Sequence, residues 1–343
     1  MPITSFSGTR RNSAACRDTL SALLVTSAAI ALSSRVAHAQ SVEENAVEES
    51  GDAFGRSVGS ESTGLYNSRE IRGFSPIDAG NVRMDSLYFD QVNNPSYRML
   101  DGTTIRVGFT TMTFPFPAPS GLVDYALTDY GTEPTLTIDI NGEIDKDFPN
   151  LAAELRLPID GDRLGIYFGG ASLFQLSSDG RTHRMDTFGT VATWRPMPGG
   201  EVSAFAWRAN PRGEEARPTF FVTGDELPPE IERMNDLSQP WTDNAKINQL
   251  FGLVSHIPLG NGFRFDAAIF SDRSEERGRF ADQLLNVDTD GSVGERVIVA
   301  DSGGEDHSIS GELRLSRTFT TGRIDHRVSA SLRGRSRDRL FGG

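Results

Sequence analysis

From about residue 133 onward, the chain contains stretches in which apolar and polar residues alternate. Between Thr135 and Ile140, for example, Leu136 and Ile138 are separated by polar residues. Successive side chains of a β-strand point to opposite faces, so this pattern predicts strands. Nine such stretches begin near residues 133, 151, 164, 186, 201, 247, 263, 309 and 324. Most approach the roughly 9–11 residues that a tilted membrane strand needs.

The connections between these predicted strands alternate in length. Short connections lie at 159–162, 197–200, 259–262 and 320–323, and longer ones lie at 142–149, 176–185, 210–245 and 273–305. Outer-membrane β-barrels have tight periplasmic turns and long external loops. A soluble β-sandwich has no reason to sort its connections in this way, so the alternation favours a membrane barrel.

One face of each predicted strand is apolar and the other carries charges. The charged positions are Glu154, Arg156, Glu312, Arg314, Arg327 and Arg333. A charge that faces lipid at mid-bilayer costs about 2–4 kcal/mol, so in a barrel these side chains should face the lumen. In a soluble sandwich they would face water, and the alternation by itself does not separate the two.

The N-terminus has the three parts of a secretory signal. Arg10, Arg11 and Arg17 precede an apolar run at 20–32, and Ala37-His38-Ala39 follows it. This order predicts a signal peptide over 1–39 that is cleaved after Ala39. The next segment, 40–50, is rich in Glu and is predicted to be a flexible leader.

Composition and charge exclude several classes of function. The 343 residues carry a net charge of −13, which argues against nucleic-acid binding. The only cysteine, Cys16, lies in the predicted signal, so the mature chain has no disulfide and no thiolate metal site. No catalytic or nucleotide-binding motif and no metal-ligand spacing of His occurs. We therefore expect neither an enzyme nor a cofactor.

Residues 51–130 differ from the chain that follows them. They contain short apolar bursts among Gly, Asn, Asp and Pro, which predict a small α+β domain of short strands and turns. Three prolines exclude helix and central strand from Phe114–Pro119. The predicted organisation is therefore mainly β: this domain at 51–130, then antiparallel barrel strands over 131–343.

Short motifs in the first domain resemble the plug domain of TonB-dependent outer-membrane receptors. The segment 62–75 contains Ile71-Arg72-Gly73-Phe74, which matches the family's "IRG" strand. Asn81-Val82-Arg83-Met84-Asp85-Ser86-Leu87 resembles the family's "V-R-(I/M)-D-G" strand, with Ser86 where Gly is usual. Thr104–Val107 and Gly121–Tyr125 resemble later plug segments. The order of signal, plug and barrel strands agrees with this family.

The resemblance implies an importer in the outer membrane of a Gram-negative bacterium, in contact with outer-membrane lipid. Its ligand would be scarce, and a ferric siderophore is the commonest cargo of the family. Its periplasmic partner would be TonB, which binds an N-terminal segment by strand addition. Our candidate for this TonB box is Glu44-Asn45-Ala46-Val47-Glu48, although a solvated acidic tail explains the same residues.

Two plug segments carry the predicted ligand contacts. Arg98 is suited to hold an anionic ligand through paired donors, and Tyr97, Phe114 and Phe116 offer flat aromatic contacts. The alternative is that these side chains pack the plug against the barrel wall.

Nine strands are too few to enclose an 80-residue plug, because about eight strands leave room only for side chains or one small ligand. We therefore expect an incomplete barrel and a truncated receptor. Two other classes stay open: a smaller outer-membrane porin or adhesin, and a secreted β-sandwich binding module.

Overall fold

The computed structural model describes residues 49–51, 67–142 and 149–341. The predicted signal peptide and the candidate TonB box lie outside these described residues. The strands are β1 (Glu49–Gly51), β2 (Val82–Met84), β3 (Leu87–Tyr88), β4 (Leu100–Arg106), β5 (Leu122–Leu127), β6 (Thr135–Asn141), β7 (Asn150–Asp160), β8 (Leu164–Leu176), β9 (Thr182–Trp194), β10 (Glu201–Arg212), β11 (Pro218–Val222), β12 (Lys246–Gly260), β13 (Phe263–Glu276), β14 (Arg279–Val287), β15 (Val293–Asp301), β16 (Gly304–Thr321) and β17 (Ile324–Leu340).

The first five strands form a mixed N-terminal sheet in the order β1-β4-β5-β2-β3. β1 runs parallel to β4, so Glu49 and Ser50 belong to a strand although the sequence predicted a flexible leader there. Two short 3-10 helices, Tyr97–Met99 and Gly108–Thr113, flank β4. The described residues contain no α-helix. Phe114–Pro119 is neither helix nor strand, as the prolines predicted.

Two tight turns account for the family-like motifs of this sheet. Asp85 and Ser86 have φ of 47° and 68° and connect β2 to β3. Both values lie in the left-handed region, which explains why Gly is usual at the position of Ser86. Ile71 and Phe74 exchange two backbone hydrogen bonds of 2.8 and 2.9 Å. The "IRG" motif therefore forms a turn closed by this bridge, and the predicted strand there is wrong.

All nine strands predicted after residue 130 are confirmed, and they form an open sheet. They form one antiparallel sheet in chain order, from β6 at one edge to β17 at the other, with each strand paired to the one before it in that order. Most of the observed strands are longer than predicted, up to 18 residues in β16. Consequently the third connection shrinks to residues 177–181, and the predicted alternation of short and long connections fails at this one point.

The two longest connections are not unstructured loops. β11, from the connection between β10 and β12, pairs in parallel with β14, and β14 pairs with β15 from the connection between β13 and β16. The long connections predicted at 210–245 and 273–305 are therefore present, and they contain three strands that the sequence did not predict. We call the end of the nine-stranded sheet that carries these strands the long-loop end.

The two faces of the nine-stranded sheet differ as the sequence predicted. Leu253, Leu313 and Leu332 on one face are 43–73% exposed. The other face packs on the N-terminal sheet, and there Glu154 and Glu312 are buried. Among the described residues, no helix has the length and apolar character needed to cross a membrane.

The hydrophobic core lies between the N-terminal sheet and the nine-stranded sheet. Phe89 follows β3, and its ring meets the ring of Phe270 from β13 edge to face at 5.3 Å. Phe270 in turn contacts Phe205 of β10, with ring centroids 6.1 Å apart. The nine-stranded sheet therefore forms a wall against which the N-terminal sheet is seated.

Arg181 joins three segments at the long-loop end. Its guanidinium, almost fully buried, donates to Asp179 at 2.9 Å and to the carbonyl of Glu215 at 2.9 Å, and it lies 3.6 Å from Asp236. Arg181→Met is expected to destabilise these segments locally by about 2–3 kcal/mol, because it leaves clustered carboxylates without their shared cation.

Hydrogen–deuterium exchange tests this expectation. Amides of 177–181 and 214–216 should exchange faster in the Arg181→Met variant, whereas the mid-strand amides of β12 should not change. Arg217→Met is the matched control, because Arg217 is 61% exposed, donates to the Ser177 hydroxyl at 2.9 Å and reaches Asp179 only at 3.6 Å, so it removes an exposed cation from the same segment. Equal exchange in the two variants would contradict the structural role of Arg181.

Candidate functional site

Four arginines occupy every second position at the end of β17. Arg333, Arg335, Arg337 and Arg339 therefore lie on one face of the strand. Contacts with Phe116 and Asp90 show that this face is the one that meets the N-terminal sheet. We call these four residues the arginine ladder.

Arg333, which we call the inner end of the arginine ladder, lies against aromatic rings. The Arg333 guanidinium lies 4.2 Å from the ring centroid of Phe116 and 4.9 Å from that of Tyr88. Arg83 approaches the same Tyr88 ring at 5.6 Å. One buried nitrogen each of Arg83 and Arg333 has no hydrogen-bond partner among the described residues. Burial, and secondly the charge of Arg333, lower the pKa of Arg83 to about 10.

The outer end of the arginine ladder is paired with two carboxylates. Arg335 forms an ion pair with Asp90, and Arg339 donates to Asp306 at 3.0 Å. Arg337 lies between them, 2.7 Å from Asp306 and 3.7 Å from Asp90. Arg335 and Arg339 stay 46% and 51% exposed, so their donors remain accessible. These three arginines share two carboxylates, and the site is therefore locally cationic in an acidic chain.

The wall also holds the backbone that follows β3. The amides of Val92 and Asn93 donate to Asp272 of β13 at 2.7 and 2.9 Å, and the Asp272 side chain is only 1% exposed. The amide of Tyr88 donates to Glu312 of β16 at 2.9 Å. Buried carboxylates thus fix the loop that places Asp90 beside the arginine ladder.

A cavity of about 410 Å³ opens at the long-loop end, next to the outer rungs of the arginine ladder. Its lining includes Asn93 from the loop after β3, Arg339 and Asp306 from the wall, and Lys246 and Arg279. Lys246 and Arg279 both contact Glu276, each at 2.7 Å. The lining also includes Glu305, so three cations and three carboxylates meet there. The size and the polar lining suit a small polar ligand.

The predicted ligand contacts are separated in the structure. Arg98 is 2% exposed, donates to Glu154 of β7 at 2.8 Å and lies over the Tyr97 ring. Phe116 contacts the arginine ladder, whereas Phe114 is partly buried elsewhere in the proline-rich segment. Arg98 and Tyr97 thus have the contacts of the packing alternative, and their role in ligand binding stays a prediction.

Sequence reasoning missed most of the arginine ladder. Arg333 was placed on the lumen face, but Arg335, Arg337 and Arg339 were not singled out. The signal was present, because arginine recurs at every second position of 333–339 within a predicted strand. That periodicity alone puts all four side chains on one face.

The predicted motif residue Asp85 lies near the other end of the nine-stranded sheet, where the connections are short. We call this the short-turn end. Its carboxylate accepts a hydrogen bond of 3.0 Å from the amide of Leu127. Burial, with a smaller contribution from the charge of Asp124, raises the pKa of Asp85 to about 6. The charged form is therefore disfavoured in the folded state.

This raised pKa predicts how stability depends on pH. Asp85 favours the folded state below pH 4, and that contribution is lost as pH rises through about 6. Asp85→Asn should therefore stabilise the protein above pH 7 by up to about 3 kcal/mol, since Asn tolerates the left-handed backbone and keeps the acceptor for Leu127. Thermal unfolding at pH 5 and pH 8 measures this, with exposed Asp78→Asn as the control. An equal or smaller gain at pH 8 than at pH 5 would contradict it.

Comparison with solved structures shows the fold. The ferric-catecholate import receptor Fiu of E. coli K12, in its open form, matches 75% of this chain at 10% identity with a TM-score of 0.53. The receptor FpvA of P. aeruginosa, bound to a heterologous pyoverdine, matches 77% at 14% identity with a TM-score of 0.59. The ferripyoverdine receptor of the outer membrane of P. aeruginosa matches 74% at 13% identity with a TM-score of 0.51.

The match covers part of each receptor. This chain spans 42% of the length of Fiu and 36% of each P. aeruginosa structure. No protein-family model matches the sequence, and no curated protein sequence matches it either. At these identities the likeness shows the fold, which is the mainly β fold of outer-membrane receptors for ferric chelates. The fold that the sequence resemblance implies is therefore confirmed.

Proposed function

We propose that the protein acts as a TonB-dependent outer-membrane receptor that takes up an anionic ferric chelate of the siderophore class. The observation that carries this proposal is the arginine ladder, which faces the N-terminal sheet and reaches the long-loop end. It acts in transport and not as an enzyme, and the import receptor Fiu shares its fold.

Charge and geometry make the arginine ladder suitable for such a ligand. A ferric ion with three catecholates keeps a net negative charge, because each catecholate is dianionic. Guanidinium groups bind such oxygens through paired donors and stay charged at any physiological pH. Arg339 lines the cavity and Arg335 lies one rung further along β17, and both are half-exposed, so they are the first contacts for a chelate that enters from the long-loop end.

The domain organisation follows from this function. Residues 51–130 act as the plug, and 131–343 supply barrel wall, with the long-loop end facing the outside of the cell. The plug is held by carboxylates of the wall, Asp272 and Glu312 among them. Transport requires these contacts to open when TonB pulls on the leader.

The position of β1 supports a TonB contact just before it. β1 pairs with the edge of β4 through Glu49 to Gly51, and the candidate box 44–48 precedes it directly. A strand added by TonB at the box would transmit tension first to β1. The signal peptide, cleaved after Ala39, delivers this segment to the periplasm.

The outward face of the wall supports an outer-membrane location. Its middle carries exposed leucines, and its short-turn end carries aromatic residues. Arg317 lies over the Phe263 ring at 4.8 Å, and Phe319 stacks on His326 at 4.9 Å. Barrels place aromatic side chains where the apolar band meets the interface. Outer-membrane lipid is therefore the proposed neighbour of this face.

Binding of two ferric chelates of different charge tests the proposed ligand class. The full chain in lipid nanodiscs is titrated with a ferric tricatecholate and with a neutral ferric trihydroxamate, and tryptophan quenching is measured. We expect at least about tenfold tighter binding of the anionic chelate and a loss of this preference at high salt. Equal affinities, or no binding of the tricatecholate, would overturn the proposal.

A further inference from the structure

A second cavity lies within the strands of the long-loop end. It measures about 900 Å³ and is bounded by the β11-β14-β15 sheet and by the segment 227–237. Its apolar lining includes Phe220, Val222, Leu227, Ile231, Leu284 and Val293. This volume and lining are typical of sites that bind small molecules. None of the arginine ladder residues lines it, so it is separate from the site described above.

Several apolar side chains of this cavity are exposed. Leu227 is 83% exposed, and Ile231 and Val293 are 45% and 42% exposed. Apolar surface left in water lacks the stabilisation that burial would give it. A ligand with an apolar body would cover it.

Buried polar contacts hold the walls of the cavity in place. Arg296 of β15 donates to Asp282 of β14 at 3.0 Å and to the carbonyl of Leu237 at 2.6 Å. The Asp282 side chain is fully buried. This pair joins the segment that ends at Leu237 to the sheet, so the cavity is built by the fold and is not a gap between loose loops.

The unpaired charges around the cavity are negative. Glu230, Glu232, Asp290 and Glu295 contribute to its lining and are exposed. None of these carboxylates is in an ion pair with another described residue, whereas the charge of Arg296 is taken by Asp282. A cation placed beside the apolar walls would therefore meet several uncompensated negative charges.

We propose that this cavity binds a cationic amphiphile, a molecule with an apolar alkyl or aryl body and one ammonium or guanidinium group. The apolar body would lie on Leu227, Val293 and Leu284, and the cation would face Glu230 and Glu295. The site is independent of the proposed uptake of an anionic chelate, because the two ligands have opposite charge and different cavities.

Three probes with the same alkyl chain test the ligand class. Hexyltrimethylammonium, hexanesulfonate and hexanol are titrated against the full chain in nanodiscs, with ligand-observed NMR as readout and empty nanodiscs as the blank. We expect the ammonium probe to bind at least about tenfold more tightly than the other two, since only it satisfies both the walls and the carboxylates. No binding, or equal binding of all three, would overturn the proposal.

Matched variants locate the binding. Val293→Ser should weaken the ammonium probe several-fold, whereas Val299→Ser should not, although Val299 is on the same strand and is 47% exposed. Glu230→Gln with Glu295→Gln should remove the preference for the cation, and Asp225→Asn with Asp301→Asn should keep it. These are exposed positions, so the variants are expected to fold. If both test variants bound the ammonium probe as tightly as the unmodified protein, the proposal would be overturned. This outcome does not depend on whether the protein binds a ferric chelate.

Discussion

Arg98→Met is expected to destabilise the contact between the N-terminal sheet and the wall by about 3–5 kcal/mol. Arg98 and Glu154 form a 2.8 Å ion pair whose side chains are 2% and 7% exposed. Removal of the arginine leaves a buried carboxylate without a cation, and that penalty exceeds the loss of the pair itself. Thermal unfolding of the purified chain and amide exchange over 97–106 measure the effect.

The double variant Arg98→Met with Glu154→Leu separates a buried charge from lost packing. It should recover most of the stability, because neither charge is then buried. Arg163→Met, at an exposed arginine in the turn between β7 and β8, should behave like the unmodified protein. If Arg98→Met were as stable as Arg163→Met, the pair would not hold the N-terminal sheet to the wall.

Arg335→Gln with Arg339→Gln is expected to weaken binding of a ferric tricatecholate by at least roughly 100-fold. Hydrogen bonds to charged groups contribute about 1.5–3 kcal/mol each, and both residues present exposed donors. The fold should persist, because Arg337 still lies between Asp90 and Asp306 and compensates their charges. Fluorescence titration of wild type and variant under the same salt conditions gives the ratio.

A control on the same strand distinguishes local recognition from net charge. Arg323→Gln with Arg327→Gln removes the same two charges at the short-turn end of β17. Its affinity for the tricatecholate should stay within about threefold of wild type, as expected for charges beyond a Debye length. Similar losses in both double variants would assign the effect to overall electrostatics and remove the arginine ladder as the binding site.

The nine wall strands were predictable because each carries its own signal. Period-two alternation in β13 and β16 specifies both the strand and the face that is buried. The turn at Asp85 and Ser86 was recognisable for the same local reason. Two consecutive residues with left-handed backbone restrict which amino acids can occupy the turn. The face of the wall that points away from the N-terminal sheet also distinguishes it from a β-sandwich. A sandwich would bury apolar side chains such as Leu313, which is exposed here.

The remaining features depend on contacts that are distant in sequence. β15 is largely exposed, so Val293–Asp301 shows no clear alternation, and its sheet with β11 could not be predicted. Arg98 meets Glu154 across 56 residues, and Arg335 meets Asp90 across 245. No local pattern specifies such pairs, which is why the arginine with the predicted ligand role turned out to face the wall.

Quenching by brominated lipid tests most directly whether the outward face lies in a bilayer. Cys16 is the only cysteine, so with Cys16→Ser a single fluorescent label can be placed by Leu313→Cys or by Leu227→Cys, at side chains 51% and 83% exposed. We expect strong quenching of the label at 313 and none at 227. A label at 313 that brominated acyl chains do not quench, and that a water-soluble quencher reaches as readily as the label at 227, would contradict the outer-membrane assignment.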